Sequence, residues 1–202
     1  VFAYAPHQDK LKKNAAAIGF TPLGSLAELA AACDTLVMAC KPYQIEAVVA
    51  ELGEKLAGKA LLSIAAGWDY ARYQAVLPAS TRVQFIMPNT PAMVAEGVLL
   101  FEETNSLTEE EHAAAVRLFA SVGLVQELPS SLMGIGGTVT GCGPAFVDLF
   151  LEAYGDAAVK YGMKRSDAYR LVSQMVLGSA KLQIQTGLHP GVLKDNVCSP
   201  AG

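Results

Sequence analysis

Three apolar runs constrain the fold more than anything else in the chain: Thr35-Leu36-Val37-Met38-Ala39-Cys40, Ala60–Ala65 and Arg82–Met87. The first is uninterrupted and bounded by Asp34 and Lys41-Pro42, the pattern of a strand buried on both faces of a parallel sheet. Helical spacing fills the intervals between the runs. Ile45, Val48, Val49, Leu52 and Leu56 mark one helix, and Asp69 is placed to cap another running to Leu77. Strands alternating with helices at short intervals predict an α/β class with a parallel sheet.

The flanks extend the same alternation. Val1–Tyr4 reads as a strand, Ala5-Pro6-His7-Gln8-Asp9-Lys10 as the turn into a helix ending near Ile18, and Gly19–Leu23 as a short extended piece. Ser25-Leu26-Ala27-Glu28 has the form of a capping box opening a helix to about Ala32. Gly97–Phe101 predicts another strand. A second capping box, Thr108 to Glu111, opens a helix to about Val122, with Glu109, Glu110 and Glu111 in the first turn where the helix dipole favours them. Gly123–Leu128 closes the series as a strand. The chain opens on a strand in progress without an initiator Met and closes on a loop, so it reads as a segment of a longer protein cut at both ends.

Beyond Pro129 helices take over. The Gly-rich stretch Gly134–Gly143 leads into Pro144-Ala145-Phe146 and a helix whose polar residues (Asp148, Glu152, Asp156, Lys160) form one narrow stripe. Gly162 ends it. Ser166 is expected to cap the next helix, with Ala168, Leu171, Val172, Met175 and Leu182 on one face. Helices this apolar have more surface than they can bury alone, which predicts oligomerisation through this segment. The organisation expected is therefore a sheet domain over residues 1–129 and an all-α oligomerisation domain over residues 130–202.

Composition excludes several functions. A net charge of −4 with no basic run argues against nucleic acid. The mean hydropathy of +0.32 is high, yet no stretch approaches the ~20 uninterrupted apolar residues of a membrane span. Cys33, Cys40, Cys142 and Cys198 lack CxxC spacing and read as reduced cytosolic thiols. The scattered His7, His112 and His189 argue against a metal site, and a Cys198 nucleophile paired with His189 is a weak alternative.

Parallel sheets bind ligands at the carboxyl ends of their strands. Three such ends are marked by small residues and prolines: Cys40-Lys41-Pro42, Ala65-Ala66-Gly67 and Met87-Pro88-Asn89-Thr90-Pro91. Asn89 and Thr90 add hydrogen-bonding side chains. Each end alone is an ordinary strand-to-helix turn; the three together predict a cofactor cleft. At the other extreme, Pro190 is placed to start a short helix, with Leu193 and Val197 a turn apart. Ser199-Pro200-Ala201-Gly202 then supplies a loop with free amide donors, suited to an anion.

Several runs carry a resemblance when taken in order: Val37–Pro42, Ser63–Gly67, Met87–Pro91, Thr140-Gly141-Cys142-Gly143-Pro144-Ala145-Phe146 and Leu193–Pro200. Together they resemble the pyrroline-5-carboxylate reductases over the whole chain. The resemblance implies a Rossmann-like parallel sheet domain whose first strand is missing here, followed by a helical domain that forms homodimers or homodecamers. It implies reduction of the C=N bond of 1-pyrroline-5-carboxylate to proline by NADPH or NADH, in the cytoplasm. By position, Ala39, Cys40, Lys41 and Pro42 would pass beside the adenosine and nicotinamide ribose, and Met87, Pro88 and Asn89 would line the nicotinamide pocket. Asn196, Val197, Ser199 and Gly202 would border the substrate, its carboxylate against backbone amides. Orientation and a dry cleft would suffice, with no side chain acting as nucleophile or base.

The chain departs from the family in places. Ala201 stands where a second Gly is usual, and Thr140 and Cys142 stand where Ser is usual. Ala5-Pro6-His7 lacks the Arg that often holds a 2′-phosphate, a role Lys10 would partly fill. The glycine-rich pyrophosphate loop and the Thr-bearing helix after the terminal loop are not in this chain. Two other readings stay open: another small-substrate dehydrogenase of the superfamily, of the hydroxyacid or 6-phosphogluconate type, and a non-catalytic oligomeric relic. The first would need a catalytic Lys and Asn on the long helix, where only Lys160 is available.

Overall fold

In the computed structural model, which describes residues 1–200, the chain divides into two compact units, Val1–Cys142 and the segment that begins at Gly143. In the first unit, strand β1 (Phe2–Ala3) pairs in parallel with β2 (Thr21–Pro22) across helix α1 (Gln8–Ile18), forming a small separate sheet. Helix α2 (Leu26–Ala32) leads to the main sheet, whose order is β3 (Thr35–Met38), β4 (Ala60–Ser63), β5 (Arg82–Met87), β6 (Gly97–Glu102) and β7 (Gly123–Leu128). Helices α3 (Ile45–Leu52), α4 (Tyr70–Gln74) and α5 (Glu109–Ala120) connect them. Every pair in the main sheet is parallel except β5–β6, which is antiparallel.

The sheet is covered on both faces. Leu36, Met38, Leu61 and Val83 pack with Ile45, Val49, Leu52, Leu56, Trp68 and Tyr73 on one side. Leu62, Ile86, Leu99 and Phe101 pack with Ala115 of α5. Strand β4 is fully buried, but β3 corrects the expectation of burial on both faces. It lies at the edge of the sheet and alternates, with Leu36 and Met38 buried and Val37 49% exposed. Only the face toward α2 and α3 is covered.

The caps explain the helix starts. Thr108 and Glu111 form the reciprocal box expected of α5. Asp69 accepts the Arg72 N–H at 2.9 Å and starts α4, which stops at Gln74 instead of Leu77. Ser25 accepts the Glu28 N–H, but the Glu28 carboxylate turns to the Gly24 N–H, one residue short of a true box.

The Gly-rich stretch is helical. Helix α6 (Ser130–Gly137) packs on β6 and β7, and a π-helical turn, Thr138–Cys142, follows it. The packing is close: a Cβ on Gly136 would fall 2.6 Å from Cδ1 of Leu128, and one on Gly137 would overlap Sδ of Met87, so those side-chain ends would have to move.

The second unit contains α7 (Gly143–Lys160), α8 (Arg165–Thr186) and α9 (Pro190–Val197). Helices α7 and α8 meet where Gly155 faces the ring of Tyr169, a contact a Cβ would close to 2.6 Å. Arg165 ties them by donating to Asp156 at 2.6 Å and to the Tyr169 hydroxyl at 2.9 Å. Lys164 is the N-cap of α8, so Ser166 lies within the first turn and does not cap it. The expected apolar face of α8 divides: Ala168 and Val172 are buried, while Leu171, Met175 and Leu182 stay about half exposed. The helical run Ser130–Lys160 is long and apolar enough to cross a membrane by length and composition alone, and little of it is buried.

Candidate functional site

Because β3, β4 and β5 are parallel neighbours, with Met38 opposite Ser63 and Ser63 opposite Phe85, their carboxyl ends share one edge of the sheet. The loops Cys40-Lys41-Pro42, Ala65-Ala66-Gly67 and Met87-Pro88-Asn89 leave from that edge side by side. All of the sequence-predicted cofactor residues, Ala39, Cys40, Lys41, Pro42, Met87, Pro88 and Asn89, are on the first and third of them.

Their surroundings differ. Ala39, Lys41 and Pro42 are exposed and Cys40 is partly buried. Burial pushes the Cys40 thiol up, so it stays protonated, with its Sγ 3.5 Å from Sδ of Met38. The Lys41 N–H donates to the Gln44 side chain at 3.1 Å, leaving the ammonium in solvent. Met87, Pro88 and Asn89 are half-buried. Asn89 accepts the Val98 N–H at 2.8 Å and donates to the Thr140 carbonyl at 3.0 Å, so its amide holds the loop in place.

The middle loop turns at Gly67, whose φ of +76° suits a residue without a side chain. A Cβ there would meet nothing within 4 Å, so the turn faces open space. Behind it, Trp68 is buried and donates from Nε1 to the Pro42 carbonyl at 3.1 Å. The Arg72 guanidinium lies 4.4 Å over the indole and donates to the Gly67 carbonyl at 2.6 Å. Tyr73 stacks at a tilt, 5.1 Å from Trp68, and its phenol shares a 2.7 Å hydrogen bond with Ser63. Burial pushes that phenol up to about 12. The Glu102 carboxylate, also buried, accepts the Tyr70 N–H at 2.8 Å and fixes the start of α4.

Sequence reasoning missed Trp68, Arg72 and the Gly137–Met87 packing. The one available signal was a lone Trp directly after a strand-end glycine, with Arg one helical turn on.

In the second unit Asn196, Val197 and Ser199 are exposed at the end of α9 and just beyond it, while Gly202 lies outside the described residues. His189 caps α9, accepting the Gly191 N–H through Nδ1 at 3.1 Å, and makes no bond to Cys198. An apolar groove of about 770 Å³ runs between α8 and α9, lined among others by Phe150, Met175, Leu182, Leu193 and Val197. All four cysteines are free, and no cluster of potential metal ligands exists among the described residues.

The strand-end loops fit a nicotinamide dinucleotide: small residues beside an open turn, anchored from behind.

Comparison with known proteins agrees. The pattern of pyrroline-5-carboxylate reductase dimerisation matches residues 130–202, and that of NADP oxidoreductase, coenzyme F420-dependent, matches residues 1–67. The chain is 38% identical over its whole length to the pyrroline-5-carboxylate reductase of Treponema pallidum, spanning 78% of that protein. It is 35% identical to the enzyme of Escherichia coli, spanning 76% of it. Among solved structures, a pyrroline carboxylate reductase of Plasmodium falciparum with NADP bound superimposes over all of this chain and 74% of its own, with TM-score 0.88 and 30% identity. The chain belongs to the pyrroline-5-carboxylate reductase family.

Proposed function

We propose that the chain performs the family's reaction at the sheet edge described above: NAD(P)H-dependent reduction of 1-pyrroline-5-carboxylate to proline. The observation that carries this reading is the delivery of three adjacent loops to one edge by the parallel strands β3, β4 and β5. Ala39, Cys40, Lys41 and Pro42 are assigned to the adenosine and ribose, and Met87, Pro88 and Asn89 to the nicotinamide pocket. Asn196, Val197, Ser199 and Gly202 are assigned to the substrate. Residues 1–129 would then be the dinucleotide-binding part and residues 130–202 the dimerisation and substrate part.

The cofactor, when bound, supplies the hydride. The chain's own contribution is to bind, orient and keep water out. At the strand ends the Cys40 thiol and the Tyr73 phenol are both held protonated by burial. Asn89 keeps its loop rigid while leaving Met87 and Pro88 to form an apolar wall. NADPH is the cofactor we assign, with Lys10 the cation nearest in sequence to the β1 turn.

The second unit supports assembly. Leu171, Met175 and Leu182 are about half exposed, and covering such apolar surface favours a partner subunit. We assign this surface, and the apolar Ser130–Lys160 run with it, to a homodimer or homodecamer in the cytoplasm.

The test is loss of NADPH absorbance on adding 1-pyrroline-5-carboxylate to the full-length enzyme, with proline identified as product. Absence of imine-dependent oxidation would sink the reading.

A further inference from the structure

We infer that Trp68, locked by Arg72, sets the spacing between the Cys40–Pro42 and Ala65–Gly67 loops and thereby positions the cofactor. The inference rests on the reading that these loops hold it. The backbone ladder between β3 and β4 ends where Ile64 N–H donates to the Met38 carbonyl at 3.1 Å. Past that bond the two loops separate. Among the described residues, one hydrogen bond joins them again: the indole N–H of Trp68 to the Pro42 carbonyl, at 3.1 Å.

That bond is itself held in place. The indole is 3% exposed, so its ring does not swing. The Arg72 guanidinium covers it at 4.4 Å and takes the Gly67 carbonyl at 2.6 Å. Arg72 is in turn fixed through its backbone N–H on Asp69. Tyr73, bonded to Ser63 on β4, packs against the same indole. Pro42, Trp68, Arg72 and Gly67 thus form a closed clasp around the point where the two loops diverge. Gly67 has a positive φ and open space above it, so its loop would drift if its carbonyl were released.

A flat ligand seated on two loops binds tightly only if their separation is set beforehand; otherwise its binding must also order them. Trp68 and Arg72 are positioning residues in this sense. Neither needs to touch the reacting atoms. Their loss is expected to weaken cofactor binding and to leave the imine almost unaffected.

The experiment is steady-state kinetics on the full-length enzyme, varying NADPH and 1-pyrroline-5-carboxylate in turn, with thermal melting alongside. Trp68→Phe keeps an aromatic ring but loses the indole N–H. It should raise KM for NADPH roughly three- to tenfold, with kcat and the imine KM within about twofold. Arg72→Ala should act in the same direction and shift the emission of Trp68, the chain's one Trp, to the red. Arg72→Lys should recover part of the NADPH affinity. Should Trp68→Phe fail to fold, Arg72→Ala carries the test on the same readout, because that residue is on the surface. A working enzyme whose variants keep the original NADPH KM overturns the clasp alone. An unmutated enzyme with no turnover overturns the functional reading, and the clasp with it.

Discussion

Asn89 hangs from Thr140: its Nδ2 donates to the Thr140 carbonyl in the π-helical turn at 3.0 Å, while its Oδ1 accepts the Val98 N–H at 2.8 Å. One side chain thus joins the end of β5 to β6 and to the helical run after β7. Asn89→Ala leaves both backbone groups without that partner and should cost about 1–3 kcal/mol of stability. Asn89→Asp keeps the acceptor for Val98 but sets an anionic oxygen against the Thr140 carbonyl, so it should not restore the loss. Urea denaturation of the three proteins checks this, and a fully stable Asn89→Asp variant would argue against the pairing.

Gly123 stands opposite Gly97 at the start of the β6–β7 ladder. A Cβ on Gly123 would overlap the Gly97 carbonyl, a backbone group that cannot rotate away, and φ is +155°. Gly123→Ala should therefore destabilise the sheet by about 2–3 kcal/mol. Gly134→Ala, where a Cβ meets nothing within 4 Å, serves as the mild control. Equal denaturation midpoints for the two variants would refute the argument.

Glu111 binds Arg82 through two hydrogen bonds, at 2.6 and 2.7 Å, and accepts the Thr108 N–H as well. The Arg82 bonds come first among the causes that bring the Glu111 carboxyl down to about 2 from an ordinary 4.5. Because the folded value is depressed, the contribution is complete above the unfolded pKa. It is lost as pH falls from near 4.5 toward 2. The pair is partly exposed, so solvent trims the effect to about 1–2 kcal/mol. Denaturation at a series of pH values should show this acid-side slope, and Glu111→Gln should flatten it.

Phe150 and Met175 line the same apolar groove of the second unit and are each nearly half exposed. If that surface meets a partner subunit, Asp at either position places an unpaired carboxylate in an apolar contact, costing several kcal/mol, about 3 or more. Phe150→Asp and Met175→Asp should then give smaller species by light scattering at equal concentration. An unchanged oligomer would exclude the groove from the interface.

Asn196 is exposed at the end of α9. As a substrate-loop residue it would lose one hydrogen-bonding group on Asn196→Ala, worth about 1–3 kcal/mol or roughly five- to 150-fold in kcat/KM for the imine. NADPH affinity should stay within about twofold. A variant that loses NADPH affinity and keeps its imine KM would place the loop with the cofactor instead.

What the sequence determined by itself was local. Strands β5 and β7 coincide with their expected ranges, and Thr108 with Glu111 forms the expected box, because both depend on residues within a few positions of each other. The strand-end loops were legible for the same reason, since Cys-Lys-Pro and Met-Pro-Asn-Thr-Pro state their own turn chemistry. What the tertiary structure decided was everything that depends on distant neighbours. Periodicity carries no direction, so the antiparallel β5–β6 pair could not be read from it. Exposure depends on what packs above a residue, so Val37 read as buried on its strand yet lies open between the buried Leu36 and Met38. The Gly-rich stretch is helical against glycine's low helix propensity, and along it Gly136 and Gly137 lie close to the side chains of Leu128 and Met87, neighbours that are distant in sequence. The clasp of Trp68 on Pro42 lies wholly on this side, because a hydrogen bond between two loops exists only once β3 and β4 are paired.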